Sequence, residues 1–383
     1  MAETIFITGA TGNIGAKIVG HILDRERSAK LILLVRGKSD IEARRRFEKT
    51  LAKIHPTANM NDVRSRVEVI AGDITGRNLG MDTDRLDTIA SKVTHIIHAA
   101  AVTRFDQPLE TARTVNLGGT MNVMRFAQMV HGYGRLRCIA HISTAFICGE
   151  QKGVVYEEDP ADEPSFSNSY ERSKWETERY LKKLMPRLPI IIFRPSIVVG
   201  DSVTGRINLF NVLYTPLRYI CRGDLPLIPC RPRTALDVVP VDYVARAICY
   251  IAMHSNNGAG RIFHITAGAE RSAGIEYYIS HAIEFVGRTF PAVTPASPRY
   301  INRRLFHAVM RLLPIFQGRT KKLQRLMSIY EPYISIDRTF DDRNTAEALR
   351  GTGIRPPHPA EYLENVLNYW IRTAHVLRYN PAV

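Results

Sequence analysis

The feature that most constrains the fold is a glycine-rich segment near the N-terminus, TGATGNIG at residues 8–15. It stands directly between a short apolar run and an amphipathic run, and Gly9, Gly12 and Gly15 follow a G-x-x-G-x-x-G spacing. Glycine lets the backbone turn sharply and approach a pyrophosphate, whose charge then faces the N-terminus of the following helix. A strand before the segment and a helix after it favour nucleotide binding over a merely tight strand-to-helix turn.

Apolar runs alternate with helix-like segments over residues 1–200. The runs are rich in isoleucine and valine and lie at 4–8, 30–36, 66–72, 93–101, 136–144 and 188–196. Continuous apolar runs are expected for strands that are covered on both faces, and strands alternating with helices indicate βαβ units. The predicted fold class is therefore α/β: a Rossmann-type doubly wound parallel sheet with a smaller, mostly helical C-terminal substrate lobe.

The character of the sequence changes after Gly200. The next stretch is rich in prolines and loops, and the last hundred residues are mostly helical and basic. Between them, a strand and helix are predicted over 237–254 and a further strand over 260–268. We therefore predict an NADP-binding Rossmann domain over 1–200, completed by about 235–268, and a substrate-binding lobe formed by 201–234 and 269–383.

The end of the second predicted strand indicates which dinucleotide is bound. An NAD-binding domain typically carries an acidic residue here for the ribose hydroxyls. This chain instead reads LLVRGKS, with Arg36 at the strand end and Lys38 close behind. A cation at this position suits the 2′-phosphate of NADPH, and Arg46 in the next helix is a candidate second cation. A solvated basic turn is the alternative interpretation.

The formal net charge of +15 is concentrated near the C-terminus. Residues 285–330 contain nine arginines and lysines and no acidic residue. Such clustering predicts an anionic partner, and the phosphates of coenzyme A or an acidic acyl carrier protein both fit. A predicted amphipathic helix at 300–313, with Ile301, Leu305, Val309 and Leu312 on its apolar stripe, also allows peripheral contact with a membrane, or simple packing with solvated charges. No nucleic-acid motif accompanies the charge, so nucleic-acid binding is not expected.

Cysteine and histidine spacing gives no sign of a metal site. The five cysteines form no CxxC pair, and the twelve histidines show no HExxH pattern. The N-terminus lacks the basic region of a signal peptide, and no apolar run approaches the ~18 residues of a membrane-spanning helix. We expect reduced thiols, no metal and a cytoplasmic protein, with membrane association as an option.

Several segments taken together resemble the extended short-chain dehydrogenase/reductase superfamily. They are TGATGNIG (8–15), GDIT (72–75), HAAA (98–101), VNLGGT (115–120), STAFICG (143–149), YERSK (170–174) and RPSIVVG (194–200). Further segments are similar to its thioester-reductase and fatty acyl-CoA reductase branch, namely LLVRGKS with EARRRF, YERSKWETE, RPSIVVGDSVTG and VVPVDYVARAI. This resemblance implies a Rossmann fold and an NADPH-dependent reductase of acyl thioesters.

The resemblance also implies roles for individual residues. Thr144, Tyr170 and Lys174 form the implied catalytic set, and Ser143 is the competing hydroxyl beside Thr144. Asp73 is expected to meet the adenine, and Asn116 to support the active site. The full set of expected cofactor-binding residues is Thr8, Gly9, Thr11, Gly12, Asn13, Ile14, Gly15, Arg36, Arg46, Asp73, Ala99, Ala100, Asn116, Ser143, Tyr170, Lys174, Pro195, Ser196 and Val198.

The spacing of Tyr170 and Lys174 fits the chemistry that the resemblance implies. Residues four apart share one face of a helix, which is also typical of a solvated surface helix. Hydride addition to a carbonyl leaves an oxyanion that needs a hydrogen-bond donor and then a proton. An ammonium beside Tyr170 is expected to lower the pKa of its phenol and to make it a better proton shuttle, while Thr144 supplies a second donor.

The leading hypothesis is reduction of an acyl thioester, carried by coenzyme A or an acyl carrier protein, to an aldehyde and then in some cases to an alcohol. The alternative is a dehydrogenase or epimerase of the same superfamily acting on a nucleotide sugar, a sterol or another small carbonyl compound. A nucleotide-sensing regulator on the same fold is disfavoured, because a sensor has no need of the Thr144, Tyr170 and Lys174 set.

Overall fold

The computed structural model describes residues 3–158, 160, 162–210, 212–254, 258–290, 297–312, 327 and 329–374. The strands are β1 (Thr4–Thr8), β2 (Lys30–Val35), β3 (Val67–Ala71), β4 (His95–His98), β5 (Cys138–Ile142), β6 (Gly153–Val155), β7 (Ile190–Pro195), β8 (Ile197–Val199), β9 (Leu227–Ile228), β10 (Ala235–Leu236), β11 (Val238–Pro240), β12 (Ile262–Ile265), β13 (Ala273–Gly274), β14 (Arg299–Tyr300) and β15 (Arg338–Phe340). The α-helices are α1 (Asn13–Arg25), α2 (Asp40–Ile54), α3 (Met60–Arg66), α4 (Thr83–Ala90), α5 (Leu109–Arg113), α6 (Gly119–Gly132), α7 (Ser169–Leu184), α8 (Tyr214–Cys221), α9 (Val241–His254), α10 (Gly268–Arg271), α11 (Ile275–Thr289), α12 (Arg303–Leu312), α13 (Arg343–Ala348) and α14 (Leu363–Ala374).

A seven-stranded sheet forms the centre of the protein. Its strand order is β12-β7-β5-β4-β1-β2-β3, and all neighbouring strands are parallel. The six apolar runs predicted as strands all contribute to it, although β4 and β5 are shorter than their runs. The predicted α/β class and doubly wound parallel sheet are confirmed. Because the strands are parallel, their carboxyl ends meet along one edge of the sheet, where ligands bind in folds of this kind.

Helices cover both faces of this sheet. Helices α1, α2 and α9 contribute to the apolar core on one face, and α4, α6 and α7 to the core on the other. The burial of both faces explains why the strands appear in the sequence as continuous apolar runs rather than as alternating ones.

The C-terminal lobe has an apolar core of its own, to which α8, α11 and α14 contribute. Several contacts join it to the sheet domain, among them a strand pair and the hydrogen bonds of a buried carboxylate. Strand β15 pairs in parallel with β6. The buried Glu157 carboxylate accepts hydrogen bonds from the backbone N–H of His264 in β12 and from the backbone N–H of Asn344 in α13, at 2.7 and 2.5 Å. Burial raises the pKa of Glu157 to about 7, although these hydrogen bonds oppose the rise.

The basic segment at 285–330 is only partly described, because 291–296, 313–326 and 328 lie outside the described residues. Within the described part, Arg288 pairs with Glu364 at 2.6 Å and Arg303 with Glu331 at 2.5 Å. Some of the predicted cluster is therefore neutralised within the lobe. Of the predicted apolar stripe, Leu305 is 55% exposed, while its neighbour Phe306 is buried. The side chains of Val309 and Leu312 lie outside the described residues.

All five cysteines are buried free thiols. Across the described ranges, no helix is long and apolar enough to cross a membrane. The same ranges contain no cluster of His, Cys, Asp and Glu side chains that would hold a metal ion.

Candidate active site

Helix α7 positions Tyr170 and Lys174 beside the end of β5. The helix begins after Asn168, whose side chain accepts a hydrogen bond from the Glu171 backbone N–H at 3.0 Å and so caps the first turn. Lys174 is 1% exposed, whereas Tyr170 is half-buried. The alternative of a solvated surface helix is therefore excluded for this face of α7.

Two neighbouring hydroxyls at the end of β5 have different partners. The Thr144 hydroxyl lies near enough to the Tyr170 hydroxyl to oppose the rise in the pKa of that phenol. Thr144 Oγ1 also accepts from the Phe146 backbone N–H at 3.3 Å. The Ser143 hydroxyl instead donates to the buried Glu178 carboxylate. The structure thus brings Thr144, and not Ser143, to the tyrosine hydroxyl.

The Lys174 ammonium is held by β5 rather than by the tyrosine. Its Nζ donates to the Ile142 carbonyl oxygen at 2.7 Å and lies 3.1 Å from His141 Nε2. Burial lowers the pKa of Lys174 to about 8, and the Glu178 carboxylate opposes this shift.

The pKa of Tyr170 shifts in the direction opposite to the sequence-based expectation. Burial raises the pKa of its phenol, the nearby Thr144 hydroxyl partly offsets the rise, and the Glu171 carboxylate adds to it. The expected lowering by Lys174 is therefore wrong for this arrangement, because desolvation of the phenolate is the largest effect. A high pKa keeps Tyr170 protonated and available as a proton donor.

The glycine-rich loop is packed too tightly for side chains at two positions. Gly9 has φ +76°, and a methyl group there would lie 2.5 Å from the backbone of Ala99 and of Ala100. A methyl group on Gly15 would lie 2.3 Å from the Gly9 carbonyl oxygen. Gly12 is the capping residue before α1 and has no side chain that could accept from the helix, so the first N–H groups of α1 are left for a ligand. This cradle fits a dinucleotide pyrophosphate.

Of the other residues expected around this loop, Thr8 ends β1 and Ala99 and Ala100 follow β4, while Thr11, Asn13 and Ile14 lie in the loop and the first turn of α1. Thr8 Oγ1 accepts from the Ala100 backbone N–H at 3.3 Å. A segment of the lobe lies against the loop: Asn208 Nδ2 donates to the Thr11 carbonyl oxygen at 2.8 Å, and the Asn13 side chain forms two hydrogen bonds with the Leu209 backbone. The half-buried Ile14 packs against the core of the sheet.

Arg36 and Arg46 converge at the end of β2. Both are exposed, and Arg46 Nη1 donates to the Arg36 carbonyl oxygen at 3.3 Å. Neither forms an ion pair with any described residue. Asp73, beyond the end of β3, accepts hydrogen bonds from the Thr75 backbone N–H at 2.9 Å and from its hydroxyl at 2.8 Å. Arg36 and Arg46 are therefore free to bind an anionic group at the end of β2, the strand next to β1.

Asn116 and the segment after β7 complete the set. Asn116 lies in a π-helical turn, Thr114–Gly118, and is buried. Its Nδ2 donates to Ser173 Oγ at 2.8 Å and its Oδ1 accepts from the Val102 backbone N–H at 2.9 Å, so it joins the loop after β4 to α7. Pro195, Ser196 and Val198 are buried at the junction of β7 and β8.

Two aromatic residues beside Tyr170 were not predicted from the sequence. The Phe105 ring lies 5.8 Å from the Tyr170 ring and stacks on Tyr333 at 5.1 Å. The Tyr333 hydroxyl donates to the Glu171 carboxylate at 2.5 Å. Phe105 lies in a loop outside every motif. Tyr333 lies in the lobe, in the segment YEPYISIDRTFDDRNTAEAL (330–349), which is similar to the C-terminal region of fatty acyl reductases but does not by itself indicate a contact with Tyr170.

An apolar pocket opens in the lobe behind Tyr333, between α8 and α11. Leu217, Ile220 and Ile279 contribute to its lining. None of the described lining residues is charged, and the only polar side-chain groups among them are tyrosine hydroxyls. Since Tyr333 belongs both to this lining and to the aromatic group beside Tyr170, the pocket lies next to the candidate catalytic residues.

Comparison with known proteins gives a consistent assignment. A family model described as "Male sterility protein" matches residues 7–248. The chain is 28% identical to "Aldehyde reductase lnaA" of Aspergillus flavus, over 98% of this chain and 37% of that protein. It is 24% identical to "Probable fatty acyl-CoA reductase 5" of Arabidopsis thaliana, over 90% of this chain and 88% of that protein. The chain spans only about a third of the first curated relatives that it matches.

A solved structure supports the fold. The terminal R domain from the myxalamid PKS-NRPS biosynthetic pathway superposes with a TM-score of 0.83, at 24% identity, over 98% of this chain and 92% of that one.

Proposed function

The chain belongs to the Male sterility protein family, and from this premise we propose that it is an NADPH-dependent reductase of acyl thioesters with an apolar acyl chain. The observation that carries the proposal is the apolar pocket, whose lining includes Tyr333 of the aromatic group beside Tyr170 and has no charged side chain among its described residues. A hydrocarbon chain gains about 0.8 kcal/mol for each methylene buried in such a pocket. A nucleotide sugar would find no cation there for its phosphates and only tyrosine hydroxyls for its own hydroxyls, so the described lining disfavours that alternative.

The residues of the site have separate roles in this proposal. NADPH, when bound, supplies a hydride to the thioester carbonyl carbon. Thr144 and Tyr170 donate hydrogen bonds to the carbonyl oxygen as negative charge develops on it, and Tyr170 then transfers its proton to give a thiohemiacetal. Collapse of the thiohemiacetal expels the thiolate, which takes up a proton, and releases an aldehyde. A second hydride and a second proton would give the alcohol.

The first experiment measures NADPH consumption with a series of saturated acyl-CoAs, from short to long, and identifies the product. Turnover with a distinct optimum of chain length, and aldehyde as the first product, is the expected result. Turnover of free ketones or nucleotide sugars in preference to every acyl-CoA would overturn the proposal. If an acyl carrier protein is the required donor, the same acyl groups become substrates once loaded on it.

Narrowing the pocket should shorten the preferred chain. Leu217→Phe fills space between α8 and α11, so kcat/KM for the longest good substrate should fall about tenfold or more, while short acyl-CoAs are unaffected. Val203→Phe is the control, since Val203 is 76% exposed and lies outside the lining. An equal loss for short and long substrates would show that the pocket does not hold the chain.

We also propose that Arg36 and Arg46 bind the 2′-phosphate of NADPH. Arg36→Asp should raise the Kd for NADPH by about 10- to 100-fold, the range expected for a lost charge-assisted hydrogen bond, with little effect on NADH. Arg45→Asp makes the same change of charge on the exposed side of α2 and serves as control. An unchanged ratio of the two Kd values in Arg36→Asp would rule this role out.

The proposed carrier is coenzyme A or an acyl carrier protein. The exposed Arg299 and Arg304 belong to the described part of the basic segment and support an anionic carrier. Exposed Leu305 beside them makes peripheral membrane contact the second option, which vesicle sedimentation with and without anionic lipid would distinguish.

A further inference from the structure

Lys174 is anchored by two adjacent residues of β5. An ammonium group has three N–H donors. One is directed to the Ile142 carbonyl oxygen at 2.7 Å, and a second lies 3.1 Å from His141 Nε2. These two contacts fix the position of Nζ and leave one N–H for a group outside the β5 strand. No motif in the sequence assigned a function to His141.

His141 itself is held in one orientation and in one protonation state. It is 1% exposed, and its ring centre lies 5.2 Å from that of His98, which is hydrogen-bonded on both sides by the hydroxyls of Thr8 and Thr120. Burial, followed by the nearby Lys174 ammonium and His98, lowers the pKa of His141 far below its ordinary value. The imidazole is therefore neutral, and its Nε2 is an acceptor for the ammonium.

The second nitrogen of this ring argues against a purely structural role. His141 Nδ1 is buried and has no hydrogen-bond partner among the described groups. With Nε2 acting as acceptor, the proton of the neutral ring is on Nδ1, where it is an unsatisfied buried donor. Such a group destabilises a fold, and an aliphatic side chain in the same space would avoid the penalty. The contact with Lys174 is the gain that offsets it.

We propose that His141 is a positioning residue for the candidate active site: its neutral imidazole accepts an N–H of Lys174, and so keeps this buried lysine protonated and fixed beside Tyr170. The inference rests on the proposed function for its catalytic meaning, but the contact with Lys174 is testable without turnover.

The charged and titratable groups that face Lys174 come from four elements. They are Glu178 on α7, His141 on β5 and His98 on β4, with Arg194 on β7 behind them as the ion-pair partner of Glu178; Tyr170 lies one turn before Lys174 on α7. Burial already lowers the pKa of Lys174 to about 8. An acceptor for the charged form raises a lysine pKa, so its loss should lower the pKa of Lys174 further, by about one unit.

The first test follows stability and needs no substrate. His141→Leu removes the acceptor, so the protonated lysine becomes harder to bury while the neutral lysine is unaffected. The free energy of unfolding of His141→Leu should therefore fall below that of the unsubstituted protein at about pH 7.5, and the gap should close as the pH rises to about 9.5. This range lies above the titration of ordinary histidines.

Two further variants distinguish the loss of the hydrogen bond between Lys174 and His141 from the loss of side-chain packing. His141→Gln retains an amide oxygen near the position of Nε2 and should restore the unsubstituted behaviour. His95→Leu removes another buried histidine, which lies on neighbouring β4 and bonds to Thr94, and should give a gap that does not depend on pH. A gap in His141→Leu that stays constant from about pH 7.5 to 9.5 would overturn the inference.

The second test uses the proposed reaction. The alkaline limb of the pH profile of kcat should move to lower pH by about one unit in His141→Leu and return in His141→Gln. If no thioester is turned over but the pH-dependent stability gap is present, the proposed function fails and the contact with Lys174 stands. Turnover with an unshifted profile in His141→Leu would contradict the positioning role.

Discussion

Tyr170→Phe is expected to lower kcat for thioester reduction by about 10²- to 10⁴-fold, the usual range for removal of a general acid, while NADPH binding stays nearly unchanged. The phenyl ring keeps its contact with Phe105, 5.8 Å away between ring centres, so the substitution removes only the hydroxyl that Thr144 engages. Steady-state kinetics give kcat, and titration of the cofactor's fluorescence gives its Kd.

Tyr333→Phe is the matched control for this result. It removes a neighbouring hydroxyl that donates to Glu171 and leaves the ring stacked on Phe105. This variant should keep most of its turnover. If Tyr170→Phe retains more than a few per cent of the activity, the proton comes from another group. A parallel loss in both variants would mean that packing around the aromatic rings, and not proton transfer, is being disturbed.

Arg194→Met is expected to destabilise the fold by about 3–5 kcal/mol, because it leaves a buried carboxylate without its counter-ion. Arg194 and Glu178 form an ion pair at 2.7 Å, and each side chain is only 1% exposed. Arg194 also donates to the Glu158 carbonyl oxygen at 2.8 Å. Denaturant unfolding followed by circular dichroism would measure the loss.

The control is an ion pair to another carboxylate of the same helix, α7. Arg113 pairs with Glu176 at 2.6 Å, but these side chains are 32% and 16% exposed. Water can replace the lost partner there, so Arg113→Met should have a much smaller effect. Adding Glu178→Gln to Arg194→Met should recover part of the stability, since it removes the stranded charge. Similar losses for the two arginine variants would show that burial does not determine the strength of these pairs.

The fold was predictable from the sequence because its evidence is local. Each strand of the parallel sheet is covered on both faces and therefore appears as an apolar run, and the glycine-rich loop fixes where β1 meets α1. The proximity of Tyr170 and Lys174 follows from one helical turn. Thr144 could be predicted to meet them only through the resemblance to a family, since nothing in its own surroundings distinguishes it from Ser143.

The remaining features depend on tertiary contacts. The pKa of Tyr170 is determined by its burial, which the sequence does not show. Phe105 and Tyr333 become neighbours only when the lobe closes against the sheet domain. Arg303 is one of many cations in the basic segment, and its neutralisation by Glu331 depends on how α12 lies in the lobe. A count of charges could therefore predict an anionic partner but not which cations remain free to meet it.

The region that the family model matches ends before the last strand of the central sheet, β12. The matched region ends at residue 248, yet β12 covers β7, and β15 covers β6. A polypeptide ending at 248 would leave β7 as a bare sheet edge, with its row of N–H and C=O groups open to pair with another chain. The strand that follows the matched region, β12, thus protects this edge of the sheet from pairing with another chain.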